Sequence, residues 1–190
     1  GTLATEAGRQ GIITYMMTPD KDYGQLVSDK VFMYRPKHTG GFEVMGVDEV
    51  KAKFDIQSPA QVIDMLGLMG DSSDNIPGCP GVGEKTAQKL IAEFGSIENL
   101  LEHTDQLKGA LKTKVETNRE MITFSKFLAT IKIDVPIQLD MDSLVREQAD
   151  EDSLRQIFEE LEFRTLIDRV LKKENAGNGI TTPTGNKTAA

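Results

Sequence analysis

The sequence predicts an α/β domain that is mostly helical, with a remnant of a parallel sheet and a helical part built on a glycine hairpin. The continuous apolar run Ile12–Met17 is rich in β-forming residues, as expected for a strand buried on both faces. Shorter strands are predicted at Val31–Tyr34 and Phe42–Met45. Beyond residue 58, apolar residues recur at helical spacing on both sides of a glycine-rich run, which predicts the helical part.

Capping residues and apolar spacing predict the helices and their limits. A short helix or turn is expected at Gln25–Ser28, and Thr130–Ile133 either returns to the sheet or covers the core. The chain is thereby divided into a sheet-containing part (residues 1–57), a helical part (58–173) and a flexible tail (174–190). The predicted helices are Leu3–Gln10, Val47–Phe54, Ala60–Met69, one starting near Glu84, one carrying Ile97, Leu100 and Leu101, Leu107–Val115, Glu120–Ala129, one capped by Asp150 or Asp152, and Phe163–Leu171.

The composition indicates a globular chain and excludes several classes of protein. Hydrophobic residues make up 38% of the chain and charged residues 27%, and no apolar run is long enough to span a bilayer. The first ten residues lack the basic and apolar regions of a signal peptide. A single cysteine, Cys79, rules out an internal disulfide and fits a reducing cytoplasm. Cys79 has no neighbouring Cys or His, so we interpret it as a small turn residue.

The net charge of −8 by itself argues against binding to nucleic acid, which requires Lys and Arg at phosphates. The charge is unevenly distributed, however. Residues 108–126 carry five Lys or Arg and two Glu, whereas residues 142–162 carry two Arg and eight Asp or Glu. Both stretches are also typical of solvated helix faces, so charge alone does not decide the question.

The central motif of the chain is the run GDSSDNIPGCPGVGEKTA, which extends from Gly70 to Ala87. Asp71 and Asp74 are three residues apart, so on a helical turn both carboxylates point the same way. The segment Asn75-Ile76-Pro77 is predicted to end that helix, because proline disfavours the helical conformation before it.

The glycines of this motif predict a hairpin that approaches another molecule closely. Gly78, Gly81 and Gly83 remove side chains that would keep a phosphate away, and a new helix begins near Glu84. The positive end of that helix attracts anions, and residues 85 and 86 add an ammonium and a hydroxyl group. A tight turn between two packed helices, without any ligand, is the alternative interpretation.

Two pairs of acids are candidate metal ligands. Asp20 and Asp22 follow the first predicted strand, where ligands bind in open parallel sheets, and Asp71 and Asp74 precede the hairpin. Carboxylates suit Mg²⁺ or Mn²⁺, and two such ions about 4 Å apart can activate water and stabilise the leaving oxygen of a phosphodiester. Taken separately, each pair also fits a solvated turn or a helix cap. Lys21 could face a phosphate or balance the charge of its neighbours.

The central motif resembles the helix–three-turn–helix of the 5′ nuclease domain family of bacterial DNA polymerase I. The run Thr18-Pro19-Asp20-Lys21-Asp22, followed by Gln25-Leu26, resembles a second motif of the same family. The resemblance extends from about Gly1 to about Lys173 and covers the C-terminal portion of that domain. It implies a structure-specific, metal-dependent 5′ nuclease in bacterial replication and repair, located in the cytoplasm with the nucleoid.

The resemblance also assigns roles to residues. Asp20, Asp22, Asp71 and Asp74 would hold Mg²⁺ or Mn²⁺ and act in catalysis through the metal. Duplex DNA with a 5′ flap or nick would be the partner, bound without base reading, and the rest of a polymerase chain would adjoin. A potassium ion would bind the backbone carbonyls near Ile76 and Val82. The DNA-binding set would be Gly78, Gly81, Val82, Gly83, Lys85, Thr86 and Lys89.

Further acids of the family's site belong to its N-terminal part, so we expect weak metal binding and little cleavage by this chain alone. Two alternatives come from other classes of function. The hairpin alone could serve a non-catalytic DNA-binding module, and a helical hairpin can also pack against a protein. The four acids favour the metal interpretation, since unneutralised carboxylates would repel a phosphate backbone.

Overall fold

The computed structural model describes residues 1–37 and 39–171, so the predicted tail lies outside the described residues. The chain forms two compact units, Gly1–Leu139 and Asp140–Ala190, a division different from that of the predicted parts. Among the described residues, no helix combines the length and apolar character that crossing a membrane requires.

The first unit contains a three-stranded sheet in the order β1-β2-β3. Its strands are β1 (Thr14–Met17), β2 (Val31–Pro36) and β3 (Phe42–Met45). β1 runs parallel to β2, whereas β2 and β3 are antiparallel. The parallel pair brings the carboxyl ends of β1 and β2 to the same edge of the sheet.

Only one face of this sheet is buried among the described residues. Met16, Met33 and Met45 belong to the core, whereas Tyr15 is 56% and Met17 is 71% exposed. The prediction of a strand buried on both faces is therefore wrong for β1, because side chains alternate and only one face packs on helices. The other face carries a ladder of aromatic rings, in which Tyr15 contacts Phe32 and Tyr34, and Tyr34 stacks on Phe42.

The helices of the first unit pack around α3, whose Val62, Met65, Leu66 and Leu68 are fully buried. A 3₁₀ turn, Pro59–Gln61, leads into α3, which packs mainly against α7 and α4. Burial of these side chains is worth about 2 kcal/mol each, so α3 is the central element of the core. The helices are α1 (Thr2–Arg9), α2 (Val47–Phe54), α3 (Val62–Met69), α4 (Glu84–Phe94), α5 (Ile97–Glu102), α6 (Gly109–Thr117) and α7 (Arg119–Ala129).

Two connecting segments take conformations that the sequence left open. The predicted short helix or turn after β1 is a 3₁₀ helix, Lys21–Leu26. Thr130–Ile133 is not a strand, and its start is held against that 3₁₀ helix by Gln25. The side chain of Gln25 donates a hydrogen bond to the carbonyl of Ala129 (2.9 Å) and accepts one from the backbone N–H of Ile131 (2.9 Å).

The second unit contains α8 (Glu151–Glu160), a short helix α9 (Arg164–Leu166) and a π-helical turn (Ile167–Leu171). The carboxylate of Asp150 accepts a hydrogen bond from the backbone N–H of Ser153 (3.0 Å), which confirms one of the two predicted caps. The continuous helix predicted at Phe163–Leu171 is instead divided into two short pieces of different pitch.

Candidate metal centre and hairpin

The chain leaves α3 at Met69 and enters a tight loop before the hairpin. Gly70 has a φ of 74°, and the backbones of Asp71 and Ile76 exchange two hydrogen bonds of 2.9 and 2.8 Å. The prediction that Asp71 and Asp74 lie on a helical turn is therefore wrong, since the helix ends first. An antiparallel bridge with Asn75 at a φ of 56° takes its place.

The loop nevertheless brings three carboxylates together. Oxygen atoms of Asp22, Asp71 and Asp74 all lie within 4.8 Å of one another, a spacing that could hold a metal ion. Asp22 comes from the 3₁₀ helix after β1, and the other two come from the loop after α3. Because α3 packs against that 3₁₀ helix, two segments about fifty residues apart meet at one point.

Asp20 lies beside this cluster, and its carboxylate forms a hydrogen bond with the backbone. Its Oδ1 accepts a hydrogen bond from the N–H of Asp22 (3.0 Å), which caps the 3₁₀ helix. Its carboxylate lines the same cavity as Asp74 but is not among the oxygens of the cluster. Its role as a ligand stays a prediction.

The ammonium of Lys21 lies among these acids. It forms a short ion pair with the carboxylate of Asp71, and it lies 3.7 Å from Oδ1 of Asp22. The hydrogen bond from Lys21 lowers the pKa of Asp71 below its ordinary value. Burial acts against the charge of Lys21, but the bond to Asp71 and the nearby carboxylates outweigh it, so the pKa of Lys21 is raised. In this structure Lys21 balances the charge of its neighbours.

Asp22 is the least satisfied member of the cluster. It is only 8% exposed, and its Oδ1 has no hydrogen-bond partner. Burial, followed by repulsion from Asp20, raises the pKa of Asp22 to about 6. A buried carboxylate oxygen without a hydrogen bond, close to two further carboxylates and 3.7 Å from a single ammonium, is incompletely stabilised.

An open cavity of about 560 Å³ adjoins the cluster and is lined by both acidic and basic residues. Its acids are Asp20 and Asp74, and its cations are Lys21, Arg35 and Lys53. Sequence reasoning missed the last two cations, because Arg35 ends a strand and Lys53 lies in the last turn of α2, outside any motif. The position of Arg35 at the carboxyl end of a strand was the signal that could have identified it.

The inner side of the hairpin is fixed to the core by a hydrogen bond to α7 and by buried side chains. The buried backbone N–H of Gly78 donates a hydrogen bond to the hydroxyl of Ser125 on α7 (2.9 Å), and Cys79 and Val82 are buried. A Cβ at Gly78 would lie 2.3 Å from the backbone nitrogen of Gly70, so two backbones touch here. The N–H of Gly78 and the side chain of Val82 are therefore turned away from any ligand at the surface.

The outer side of the hairpin is open and carries the rest of the predicted set. Gly81, Gly83, Lys85 and Lys89 are exposed, and Thr86 is half-buried. Gly83 begins α4 from an extended conformation, and a Cβ there would meet no atom within 4 Å. The first N–H groups of a helix have no acceptor within it, so this surface offers donors as well as ammonium groups.

Lys114 on α6 is a second residue that sequence reasoning missed at the hairpin. Its ammonium donates a hydrogen bond to the carbonyl of Gly81 (3.3 Å), directly over the position where a side chain would stand.

Of the carbonyls predicted to bind potassium, that of Ile76 already accepts the N–H of Asp71 (2.9 Å). The potassium site stays a prediction.

Comparison with known proteins agrees with this architecture. Residues 57–152 match the family model described as 5′-3′ exonuclease, C-terminal SAM fold. The chain is 43% identical over 172 residues to DNA polymerase I of Bacillus subtilis, covering 90% of this chain and 19% of that protein. It is 41% identical over 168 residues to the thermostable DNA polymerase I of Thermus filiformis, covering 88% and 20%. The chain thus spans about a fifth of the length of these relatives.

Solved structures share the fold at lower sequence identity. A T5 5′-exonuclease with bound zinc superimposes with a TM-score of 0.60 at 21% identity, covering 67% of this chain and 46% of the other. A bacteriophage T5 flap endonuclease complex with DNA and metal ions gives a TM-score of 0.59 at 21% identity, with the same coverage. These similarities support an α/β, mostly helical fold.

Proposed function

Since the chain belongs to the family of 5′-3′ exonuclease domains with a C-terminal SAM fold, we propose that it carries part of the active centre of a structure-specific 5′ nuclease. Its acid cluster would bind Mg²⁺ or Mn²⁺, and its hairpin would bind duplex DNA near a 5′ flap or nick. The parent activity would be phosphodiester hydrolysis within a DNA polymerase in bacterial replication and repair.

The observation that carries this proposal is the buried Oδ1 of Asp22. It has no hydrogen-bond partner, and oxygens of Asp22, Asp71 and Asp74 lie within 4.8 Å of one another as a set of hard oxygen ligands. A structural cap would direct its oxygen toward an N–H group, as Asp20 does. A DNA-binding module without a metal would gain nothing from burying such an oxygen.

Each residue at the site would have a separate role. Asp22, Asp71 and Asp74 would hold the divalent ion, and such an ion supplies charge stabilisation and an activated water during phosphodiester hydrolysis. Lys21 contacts two of these carboxylates and would limit their repulsion. Asp20 holds the backbone of the 3₁₀ helix in place through Oδ1, and its second carboxylate oxygen would act as a further ligand.

The hairpin would grip the DNA backbone independently of base sequence. Its exposed glycines Gly81 and Gly83 permit close approach, and Lys85 and Lys89 supply positive charge. Gly78 and Val82 would shape the loop from within, because both are buried. A potassium ion at the carbonyls of Ile76 and Val82 remains part of this proposal.

Metal binding by the chain is the direct test. Titration calorimetry with Mn²⁺ should show binding that Asp22→Asn and Asp71→Asn each weaken by about tenfold or more, because each removes a charged ligand. Asp48→Asn, on the exposed side of α2, is the matched control and should leave binding unchanged. Equal binding by all four chains would contradict the metal centre and leave the hairpin as the functional feature.

Cleavage is the second test. A 5′-labelled flap duplex incubated with Mg²⁺, with EDTA as control, should show little cleavage by this chain. The reason is that a cluster of three carboxylates is found with metal-site spacing among the described residues, whereas two-ion hydrolysis needs ligands for both ions. Rapid Mg²⁺-dependent cleavage at the flap junction would show that the retained acids suffice or that a second chain completes the site.

A further inference from the structure

The cavity beside the acid cluster is also lined by two basic residues, Arg35 and Lys53, that the proposed metal centre does not use. Strand geometry places Arg35 there, because Arg35 shares a face of β2 with Val31 and Met33 but lies at the strand's carboxyl end. The parallel pairing of β1 and β2 brings that end next to Asp20, which follows β1. Arg35 therefore reaches the site from the sheet.

Lys53 reaches the same cavity from α2. Among the described residues, no carboxylate lies within ion-pair distance of its ammonium, which stands 5.7 Å from the centre of the Phe54 ring. Burial lowers the pKa of Lys53, and the charges of Arg35 and Lys21 lower it further, whereas the charge of Glu43 acts in the opposite direction. The cavity also holds Asp20 and Asp74, but neither forms an ion pair with Lys53, so an anion would stabilise its charge.

We propose that Arg35 and Lys53 bind a backbone phosphate of a nucleic-acid strand, next to the phosphodiester received by the acid cluster. A guanidinium can donate two parallel hydrogen bonds to phosphate oxygens, and an ammonium adds a compact charge. The carboxylate Oε1 of Glu43 lies 3.7 Å from Nη1 of Arg35. This ion pair orients the guanidinium and reduces the positive charge that Arg35 and Lys53 present to the cavity. This inference rests on the proposed function, because it takes the strand to pass the acid cluster.

Fluorescence anisotropy with a fluorescein-labelled 5′-flap duplex tests the proposal in Ca²⁺, which would neutralise the acid cluster in place of Mg²⁺. Arg35→Ala and Lys53→Ala should each raise the Kd about tenfold. Each should also reduce the slope of log affinity against log salt by about 0.7 to 0.9, the contribution of one phosphate contact. Lys51→Ala removes a charge from the same helix outside the cavity and should change neither quantity.

Two further variants distinguish the effect of the charge of Arg35 from that of its hydrogen-bond geometry. Arg35→Lys should keep the salt slope while losing part of the affinity, because the charge remains and the paired hydrogen bonds do not. Glu43→Gln should raise affinity by freeing Arg35. Together with Lys53→Ala, they keep the test available if Arg35→Ala fails to fold.

Binding by the Arg35 and Lys53 variants equal to that of Lys51→Ala would overturn the inference, as would failure of the unaltered chain to bind the duplex. Metal titration in the absence of DNA tests the acid cluster separately. Failure of the phosphate site and failure of the metal centre are therefore distinguishable.

Discussion

The hairpin directly follows the loop that carries Asp71 and Asp74 of the acid cluster, but the two regions differ in how well their polar groups are satisfied. The hairpin is satisfied internally, since Ser125 accepts the N–H of Gly78 and apolar residues on its inner side are buried. The acid cluster gathers like charges and leaves an oxygen of Asp22 without a hydrogen-bond partner. Packing alone thus stabilises the hairpin, whereas a bound cation would further stabilise the acid cluster.

The largest effect is expected where the hairpin meets the core. Gly78→Ala should lower the free energy of unfolding by about 3 kcal/mol or more, because a φ of 64° and a contact of 2.3 Å to the Gly70 backbone both oppose a side chain. Urea denaturation followed by circular dichroism measures this loss. Gly83→Ala, which meets open space, is the matched control and should cost less than about 1 kcal/mol.

Removing the hydroxyl beneath the hairpin should have the next largest effect. Ser125→Ala leaves the buried N–H of Gly78 without an acceptor and should cost about 1 to 3 kcal/mol. Thr123→Ala, an exposed change on the same helix, should be close to neutral by the same denaturation measurement. Equal costs for the two variants would mean that the Ser125 contact does not anchor the hairpin.

The contribution of Asp22 to the free energy of unfolding should change with pH in the direction opposite to that of an ordinary ion-paired carboxylate. The pKa of Asp22 is raised from 3.8 to about 6, so the folded chain binds this proton more tightly than the unfolded chain. Its contribution to the free energy of unfolding should therefore fall by about 2 kcal/mol as the pH rises from 4 to 6 in metal-free buffer.

The measurement that isolates Asp22 is the difference between the unaltered chain and Asp22→Asn across that pH range. The variant cannot titrate at this position, so it should be relatively more stable at pH 7 than at pH 4. A constant difference between the two chains would show that burial and Asp20 do not perturb Asp22 as inferred.

The smallest expected effect is stabilisation by a divalent ion. At a concentration near the Kd, Mg²⁺ should raise the free energy of unfolding by about 0.4 kcal/mol, and by more at higher concentration. At that Mg²⁺ concentration the melting temperature of the unaltered chain should rise, and that of Asp71→Asn should rise much less, because its affinity is about tenfold lower. A rise of equal size in both chains would place the ion elsewhere.

Local patterns in the sequence predicted most elements of the fold, including the parallel start of the sheet and the onset of α4 at Glu84. Glycine and proline spacing predicted the hairpin but placed the end of α3 too late. The helix ends at Met69, because Gly70 after it adopts positive φ and touches the backbone of Gly78. That contact joins residues from both sides of the loop, and periodicity along a helix carries no information about it.

The acids of the candidate site were identifiable from sequence, but their supporting residues were not. Ser125, Lys114, Arg35 and Lys53 lie on other elements and have no motif of their own. Their roles arise from the packing of α6 and α7 beneath the hairpin and from the meeting of β2 with α2. Such long-range contacts depend on the three-dimensional arrangement, whereas single-sequence reasoning sees only neighbours along the chain.

The aromatic ladder on the exposed sheet face has a spectroscopic consequence. The chain contains no tryptophan and three tyrosines, so its intrinsic fluorescence comes from tyrosine. Tyr15 and Tyr34 belong to the ladder, with ring centres 6.3 Å apart, whereas Tyr23 directly follows Asp22. Changing both ladder tyrosines to phenylalanine would leave Tyr23, which packs against the core directly after Asp22 in the sequence, as the single tyrosine emitter. Its emission would report changes in this segment without an attached dye.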